Sequence, residues 1–511
     1  MLESWKEWRA WAVSMYLCLT TLAPLVISIF FPNSAYKPIS HFLHNISYDE
    51  PRTEEEEEEN GNYLWHLFIN MDPITRGSFV FITPYSRTSL DAANASSSPS
   101  CSVFLNGLLA LASWLESWEA LFLGRFLASA GRCLGADILV VIFAEIAPFN
   151  SGGRLKALVS ISISISVSVA AVLGMGSVAG TPAHWPLVYA LCALLNLASL
   201  PVLCLMKETP AFLARSAHQQ PQPFHDSLHF YFGSREREAA ILHDATAKRT
   251  RNGCTVMGKL FTLPRHLMLL ITINFCTAYS NIIRQYSTVL LESVSLSNEQ
   301  AGYATSTLKI GSTLALCGTF FLVDRIGLRQ HYLFCLGMAV IGLCAMTVVE
   351  FVRQQEVWNG SAWLYVASLY VYFIATDLGP RCLNSLLQSE IYPHQLRMSG
   401  RAASLVLLSI INITFGLAFL PLRFRFGWPF YATLALATGA AMLLLYMYLP
   451  ETSKKEMEEI LAQFKDLPRL PLVLSVVKHV LRKTGLAEPK PSRDEAKSTK
   501  TEEALEKETP D

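Results

Sequence analysis

The sequence predicts an all-α membrane protein made of two homologous halves, and three observations carry that reading. Of 511 residues, 51% are apolar and only 16% are charged, with mean hydropathy +0.32 despite long polar stretches. The apolar residues therefore gather in blocks, and those blocks approach the roughly 20 residues a helix needs to cross about 30 Å of hydrocarbon. The chain also repeats itself at a period of about 245 residues. Glu145-Ile-Ala-Pro148 is followed by Arg154, and Glu390-Ile-Tyr-Pro393 is followed by Arg397. A second pair keeps step, with Lys207-Glu208-Thr209-Pro210 behind the first and Leu449-Pro450-Glu451-Thr452 behind the second.

Eleven blocks are clear, at about 9–31, 102–118, 120–144, 157–180, 185–206, 264–291, 302–323, 331–352, 362–388, 402–422 and 429–449. The first is read as a retained span, because its apolar run is long and no small-residue cleavage site follows it. Lys and Arg crowd into 207–265, into Arg325 and Arg329, into Arg397 and Arg401, and along the tail after 450. The positive-inside rule places these segments in the cytoplasm. Asn45-Ile-Ser47 and Asn359-Gly-Ser361 then face the other side, which makes Asn45 and Asn359 glycosylation acceptors. The organisation that follows is a first bundle over 1–206 with an extracellular loop at 32–101, a cytoplasmic loop at 207–262, a second bundle at 263–449 and a cytoplasmic tail at 450–511. From 488 the tail is too polar to pack. Residues 471–483 suit either a short basic amphipathic helix on the inner leaflet or an ordinary solvated helix.

Several classes lack their chemistry. There is no phosphate-cradling Gly-x-x-x-x-Gly-Lys-Ser/Thr loop, no Cys-x-x-Cys, no His-Glu-x-x-His and no Gly-x-Ser-x-Gly, so an enzyme, an ATP-driven pump, a metal centre and a cofactor are not expected. Formal net charge is zero, which offers no field for nucleic acid. Most of the eleven cysteines fall inside the apolar blocks and read as small apolar residues, not as a disulfide framework.

Six motifs in order resemble a known family. Arg125 with Gly131, Glu145 to Arg154, Lys207 to Leu213, Asp324-Arg-Ile-Gly-Leu-Arg329, Glu390 to Arg397 and Leu449 to Thr452 are similar to the motif series of the major facilitator superfamily. Their wording resembles its organic cation, organic anion and carnitine branch, solute carrier family 22, of which the chain reads as a divergent member. The resemblance covers about 102–460 and implies two pseudo-symmetric six-helix bundles, cytoplasmic termini and rocker-switch transport at the plasma membrane.

One region departs from that pattern. Moving the Asp324–Arg329 turn back by the repeat lands on Phe79-Val-Phe-Ile-Thr-Pro84, which has none of its charges. The stretch before it carries Glu57–Glu59, Asp72-Pro73 and Arg76, and a crossing there would bury Asp72 and Arg76 near its middle. No credible second span is expected at 57–78. The resemblance also implies loop cysteines, and 32–101 contains none. Either the first bundle is divergent or the sequence carries an incorrectly predicted or spliced exon.

Two sets of residues are candidates for function. Glu145, Arg154, Asp324, Arg325, Arg329, Glu390, Arg397 and Glu451 cluster at cytoplasmic helix ends, where they either latch that side shut or only fix topology. Polar and aromatic groups inside spans are the substrate-cavity candidates. Arg284 and Lys309 have no acid near in sequence; Asp377 and Arg381 share a helix face and read as a self-neutralising pair or as cavity groups. Tyr279 and Tyr286 either stack on a substrate or pack. In the eleventh helix the resemblance implies an aspartate for cation carriers and an arginine for anion carriers, where this chain has Thr414. The expected function is alternating-access transport of small organic ions or zwitterions, with Arg284 and Lys309 leaning it toward anions. The rival reading is a transporter-like receptor that no longer transports. Expected partners are the substrate and membrane lipid; oligomeric state is left open.

Glycosylation tests the topology. The protein made in mammalian cells should migrate faster after glycosidase treatment, and the Asn45→Gln, Asn359→Gln double variant should not change mobility. Loss of reactivity of an epitope near Glu56 on intact cells, with recovery after permeabilisation, contradicts the assignment.

Overall fold

The computed structural model describes residues 11–47, 54–79, 111, 117–146, 152–207, 213, 221–232, 264–355, 361–391 and 397–450, and among them every regular element is helical. In the first half, α1 spans Trp11–Asn33, α2 Tyr36–Ser47, α3 Glu54–Phe79, α4 Trp118–Ile146, α5 Gly152–Leu173 and α6 Trp185–Leu205. A short α7 covers Pro221–Phe232. In the second half, α8 runs over Pro264–Gln285 and continues as α9, Ser287–Glu292. Then follow α10 (Asn298–Ile326), α11 (Leu328–Gln354), α12 (Ser361–Thr376), a π-turn at Asp377–Arg381, α13 (Cys382–Ile391), α14 (Arg397–Phe426) and α15 (Trp428–Tyr448). The block expected at 102–118 falls almost wholly outside the described residues.

Local chemistry sets the breaks. Pro24 and Pro380 remove helix N–H groups, and a π-turn sits beside Pro24 at Cys18–Leu22 and encloses Pro380 at Asp377–Arg381. Ser117 Oγ accepts the N–H of Ala120 at 3.2 Å and starts α4. Gly327, at φ +90°, makes the turn from α10 to α11, a backbone region open to glycine at little cost. Six of the helices are long and apolar enough to cross a membrane: those at Trp11–Asn33, His266–Gln285, Leu328–Gln354, Ala362–Asn384, Ala403–Phe426 and Trp428–Tyr448. Their outward faces expose large apolar side chains such as Phe334, Ile341, Val348, Leu436 and Leu443, as lipid contact requires.

The segment at 57–78, where no credible second span is expected, is helical. A continuous helix, α3, occupies the segment and packs against both α4 and α14. Its counterpart one repeat later, about 245 residues on, is α10, and the counterpart of α5 is α14. The contacts α3–α14 and α5–α10 are thus the same contact made twice, once with each half supplying the earlier helix. Composition hid α3 because the charge at its middle is answered from another helix. The Asp72 carboxylate pairs with Arg132 of α4, whose Nε donates to Asp72 Oδ1 at 3.1 Å and whose Nη2 donates to the same oxygen.

Arg125 shows the same logic at the end of α1. Pro32 has no N–H to give to the carbonyl of Ser28, so that acceptor is left over as the helix ends. Arg125 is fully buried and donates to Ser28 O at 2.9 Å and Ile29 O at 2.7 Å, with its guanidinium 5.0 Å from the Phe68 ring.

Removing the negative member of the α3–α4 pair should therefore cost about 3–5 kcal/mol. Asp72→Asn should lower the unfolding midpoint of the purified protein in detergent, and Asp72→Asn with Arg132→Gln should recover part of the loss. A midpoint unchanged in the single variant contradicts this account of α3.

Candidate functional site

The two halves meet along α3–α14 and α5–α10, and most of the described contacts between them are hydrogen bonds of neutral groups. Tyr286 stands at the α8–α9 junction, fully buried. Its hydroxyl accepts from Asn70 Nδ2 of α3 at 2.8 Å and donates to Gly416 O of α14 at 2.9 Å. Its ring stacks on Phe419 at 5.6 Å and meets Trp65 edge-on at 5.9 Å. On the other side of the seam, Ser168 Oγ of α5 donates to Lys309 O at 3.0 Å, and Thr313 Oγ1 of α10 lies 2.9 Å from Ser168 Oγ and 3.2 Å from Ser164 O. Lys309 Nζ reaches Ser34 Oγ, past the end of α1, at 3.1 Å. Lys37 of α2 and Glu292 of α9 approach to 3.8 Å at the rim. Tyr286, Ser168 and the Lys37–Glu292 pair lie toward the helix ends that the charge pattern predicts to be extracellular, whereas Asn70 and Thr313 lie nearer the middle of α3 and α10.

Within the second half the charges form a cluster on the π-turn. Asp377 Oδ1 receives Arg284 Nη2 at 2.6 Å and Arg381 Nη1 at 2.8 Å. Arg284 Nη1 also donates to Ser312 Oγ at 3.2 Å, and its guanidinium lies 4.5 Å from the Phe373 ring. Thr277 Oγ1 donates to Pro380 O at 3.1 Å and ties the turn to α8. The structure thus brings together four of the cavity candidates, Arg284, Asp377, Arg381 and, through the Ser312–Lys309 turn of α10, Lys309. Arg284, which has no acid near in sequence, finds one on another helix.

The remaining candidates part company. Tyr279 packs with Phe275 at 4.5 Å and Phe415 at 5.1 Å, Tyr286 bridges the halves, and Thr414 is exposed with its hydroxyl on Ile410 O at 2.9 Å. Arg329 Nη2 donates to Tyr446 O at 2.6 Å and joins α11 to α15 within the second half. The side chains of Glu145, Arg154, Asp324, Arg325, Glu390, Arg397 and Glu451 and the sequon side chains Asn45 and Asn359 lie outside the described residues. Sequence reasoning missed Asn70 and Ser34, which fell in the segment read as loop. It also missed Ser164 and Ser168, although serines at every second position over 160–168 are a signal, since small polar residues mark close helix contacts in membranes.

Two bundles joined by such a seam define a membrane transporter of the major facilitator type. The match to the Sugar (and other) transporter family model extends over residues 99–464, and the chain belongs to that family. It is 26% identical over 370 residues to the mouse solute carrier family 2 facilitated glucose transporter member 4, covering 71% of this chain and 72% of the relative. It is 22% identical over 382 residues to facilitated glucose transporter protein 1 of Caenorhabditis elegans, covering 71% and 74%. Among solved structures, the inward-open xylose transporter XylE from E. coli matches with TM-score 0.69 at 15% identity, covering 89% of this chain and 99% of that one. A second XylE structure, bound to 6-bromo-6-deoxy-D-glucose, matches with TM-score 0.67. The superfamily read from the motifs stands, and the branch is corrected: these similarities point to sugar transporters, not to solute carrier family 22. The chain is a multi-pass membrane transporter, not an enzyme.

The seam predicts the effect of a single hydroxyl. Tyr286→Phe keeps the stack on Phe419 and loses two hydrogen bonds, about 1–2 kcal/mol together. A cysteine placed at Asn33 should then react several-fold faster with a membrane-impermeant maleimide, because the outward-open population rises. An unchanged rate removes Tyr286 from the closure.

Proposed function

We propose that the protein carries a small hydroxylated solute of the sugar class across the membrane by alternating access. The single observation that supports this best is a set of unmet polar atoms along the seam. Asn33 Oδ1, Asn70 Oδ1, Gln285 Nε2 and Ser306 Oγ are buried without a hydrogen-bond partner in the protein. They come from α1, α3, α8 and α10, and each lies beside or within a turn of a residue that bridges the halves: Ser34, Asn70 itself, Tyr286 and Lys309. Buried polar groups are almost always satisfied, and a set of neutral donors and acceptors suits the hydroxyls of a polyol. The family and the activities of its relatives, facilitated glucose and xylose transport, agree with this substrate class.

The reading makes transport secondary or facilitative, with the extracellular contacts as the closed side of a two-state equilibrium. Purified protein in proteoliposomes should take up at least one member of a labelled panel of hexoses, pentoses and uronic acids saturably. Flux equal to protein-free liposomes across the whole panel, from protein that unfolds cooperatively, would leave the receptor-like alternative.

A further inference from the structure

The charge cluster of the second half, with Lys309 on the seam beside it, holds more positive charge than its carboxylate answers. Arg284 and Arg381 both bond to one oxygen of Asp377. Lys309 is only 1% exposed, its ammonium has Ser34 Oγ as its hydrogen-bond partner, and among the described residues no carboxylate lies within 4.0 Å of it. Three cations thus face one anion. An ammonium buried without a counter-ion is costly in any protein and more so at membrane depth.

The cluster is also held in place. Pro380 and the π-turn set Asp377 and Arg381 on one short segment, and Gly379 lets that turn lie against Cys335 of α11, where a Cβ would collide. Ser312 takes Arg284 on one side and closes onto Lys309 O on the other. Lys309 O in turn receives Ser168 from the opposite half. The ammonium therefore sits on a braced helix at the meeting of the halves, one turn from Ser306 and beside the Ser34 and Asn33 pair, whose Asn33 Oδ1 and Ser306 Oγ lack partners.

We propose that Lys309 is an anion-binding residue and that the solute is a hydroxylated carboxylate, a sugar acid. Its carboxylate seats on the Lys309 ammonium, and its hydroxyls meet Asn33, Ser306 and Gln285. This rests on the transport reading above and narrows its substrate class. It also couples binding to the gate: an anion that draws the ammonium away from Ser34 removes one of the contacts closing the extracellular side.

The test is equilibrium binding to the purified full-length protein in nanodiscs, with D-glucuronate against D-glucose, which differ by a carboxylate in place of a hydroxymethyl group. A charge-assisted contact should make glucuronate bind about tenfold or more tighter. Lys309→Met should erase that difference while keeping or raising the unfolding midpoint, and Lys309→Arg should retain part of it. Equal binding of the two sugars by the native protein overturns the proposal, as does full glucuronate preference in Lys309→Met. Sulfate competing as well as glucuronate overturns the sugar-acid class. Tight glucuronate binding without uptake into proteoliposomes would sink the transport reading alone, whereas saturable glucose uptake with no glucuronate binding would sink this proposal alone.

Discussion

Lipid offers no solvent for a buried charge, so among the described residues the buried arginines find their partners within the protein, and that constraint organises the structure. Asp377 answers two arginines from within the second half. Glu350, fully buried on α11, answers Arg353 at 2.7 Å and Arg423 of α14 at 2.8 Å. Arg423 also donates to Tyr431, whose hydroxyl meets that of Tyr365 at 2.6 Å. In the first half Asp72 answers Arg132, and Arg125 spends its donors on the carbonyls that end α1. Each pairing fixes which helices are neighbours, since removing one partner strands a charge at a cost of about 3–5 kcal/mol.

The distribution of these interactions separates what must stay rigid from what can move. Among the described residues the close ion pairs of the helices lie inside one half or the other, so each half is braced against itself. Between the halves the described contacts are neutral hydrogen bonds, ring packing and the long Lys37–Glu292 pair, whose lysine is 53% exposed. Net values are about 0.5–1.5 kcal/mol for a neutral hydrogen bond and about 0–1 kcal/mol for an exposed pair. A handful of such contacts yields the few kcal/mol that a two-state equilibrium needs if a bound solute is to tip it. Lys309 is the exception, a charge placed on the seam and not inside a half.

The repeat explains why the seam is built as it is. Because α3 corresponds to α10 and α5 to α14, the contacts α3–α14 and α5–α10 occupy equivalent positions, yet their chemistry differs. One is bridged by an aromatic hydroxyl between Asn70 and Gly416, where a Cβ at Gly416 would run into the Asn70 amide. The other is bridged by serine and threonine hydroxyls. Symmetric architecture with unlike linkers gives a solute distinct surroundings on its two sides.

Much of this was legible in the sequence. The two halves, ten of the helices and the list of charges inside spans follow from hydropathy, the repeated Glu-Ile-x-Pro segments and the positive-inside rule, because these depend on composition and local spacing. The polar helix α3 was not legible, since its Asp72 looks prohibitive until Arg132 is known to lie beside it. Nor was the sharing of Asp377 between Arg284 and Arg381, because only the first of those contacts crosses between helices and only the second is written at helical spacing. Which charges remain over once the pairs are made is a property of helix packing alone: sequence lists Arg284 and Lys309 as equals, and the tertiary structure gives a carboxylate to one and a serine of the other half to the other.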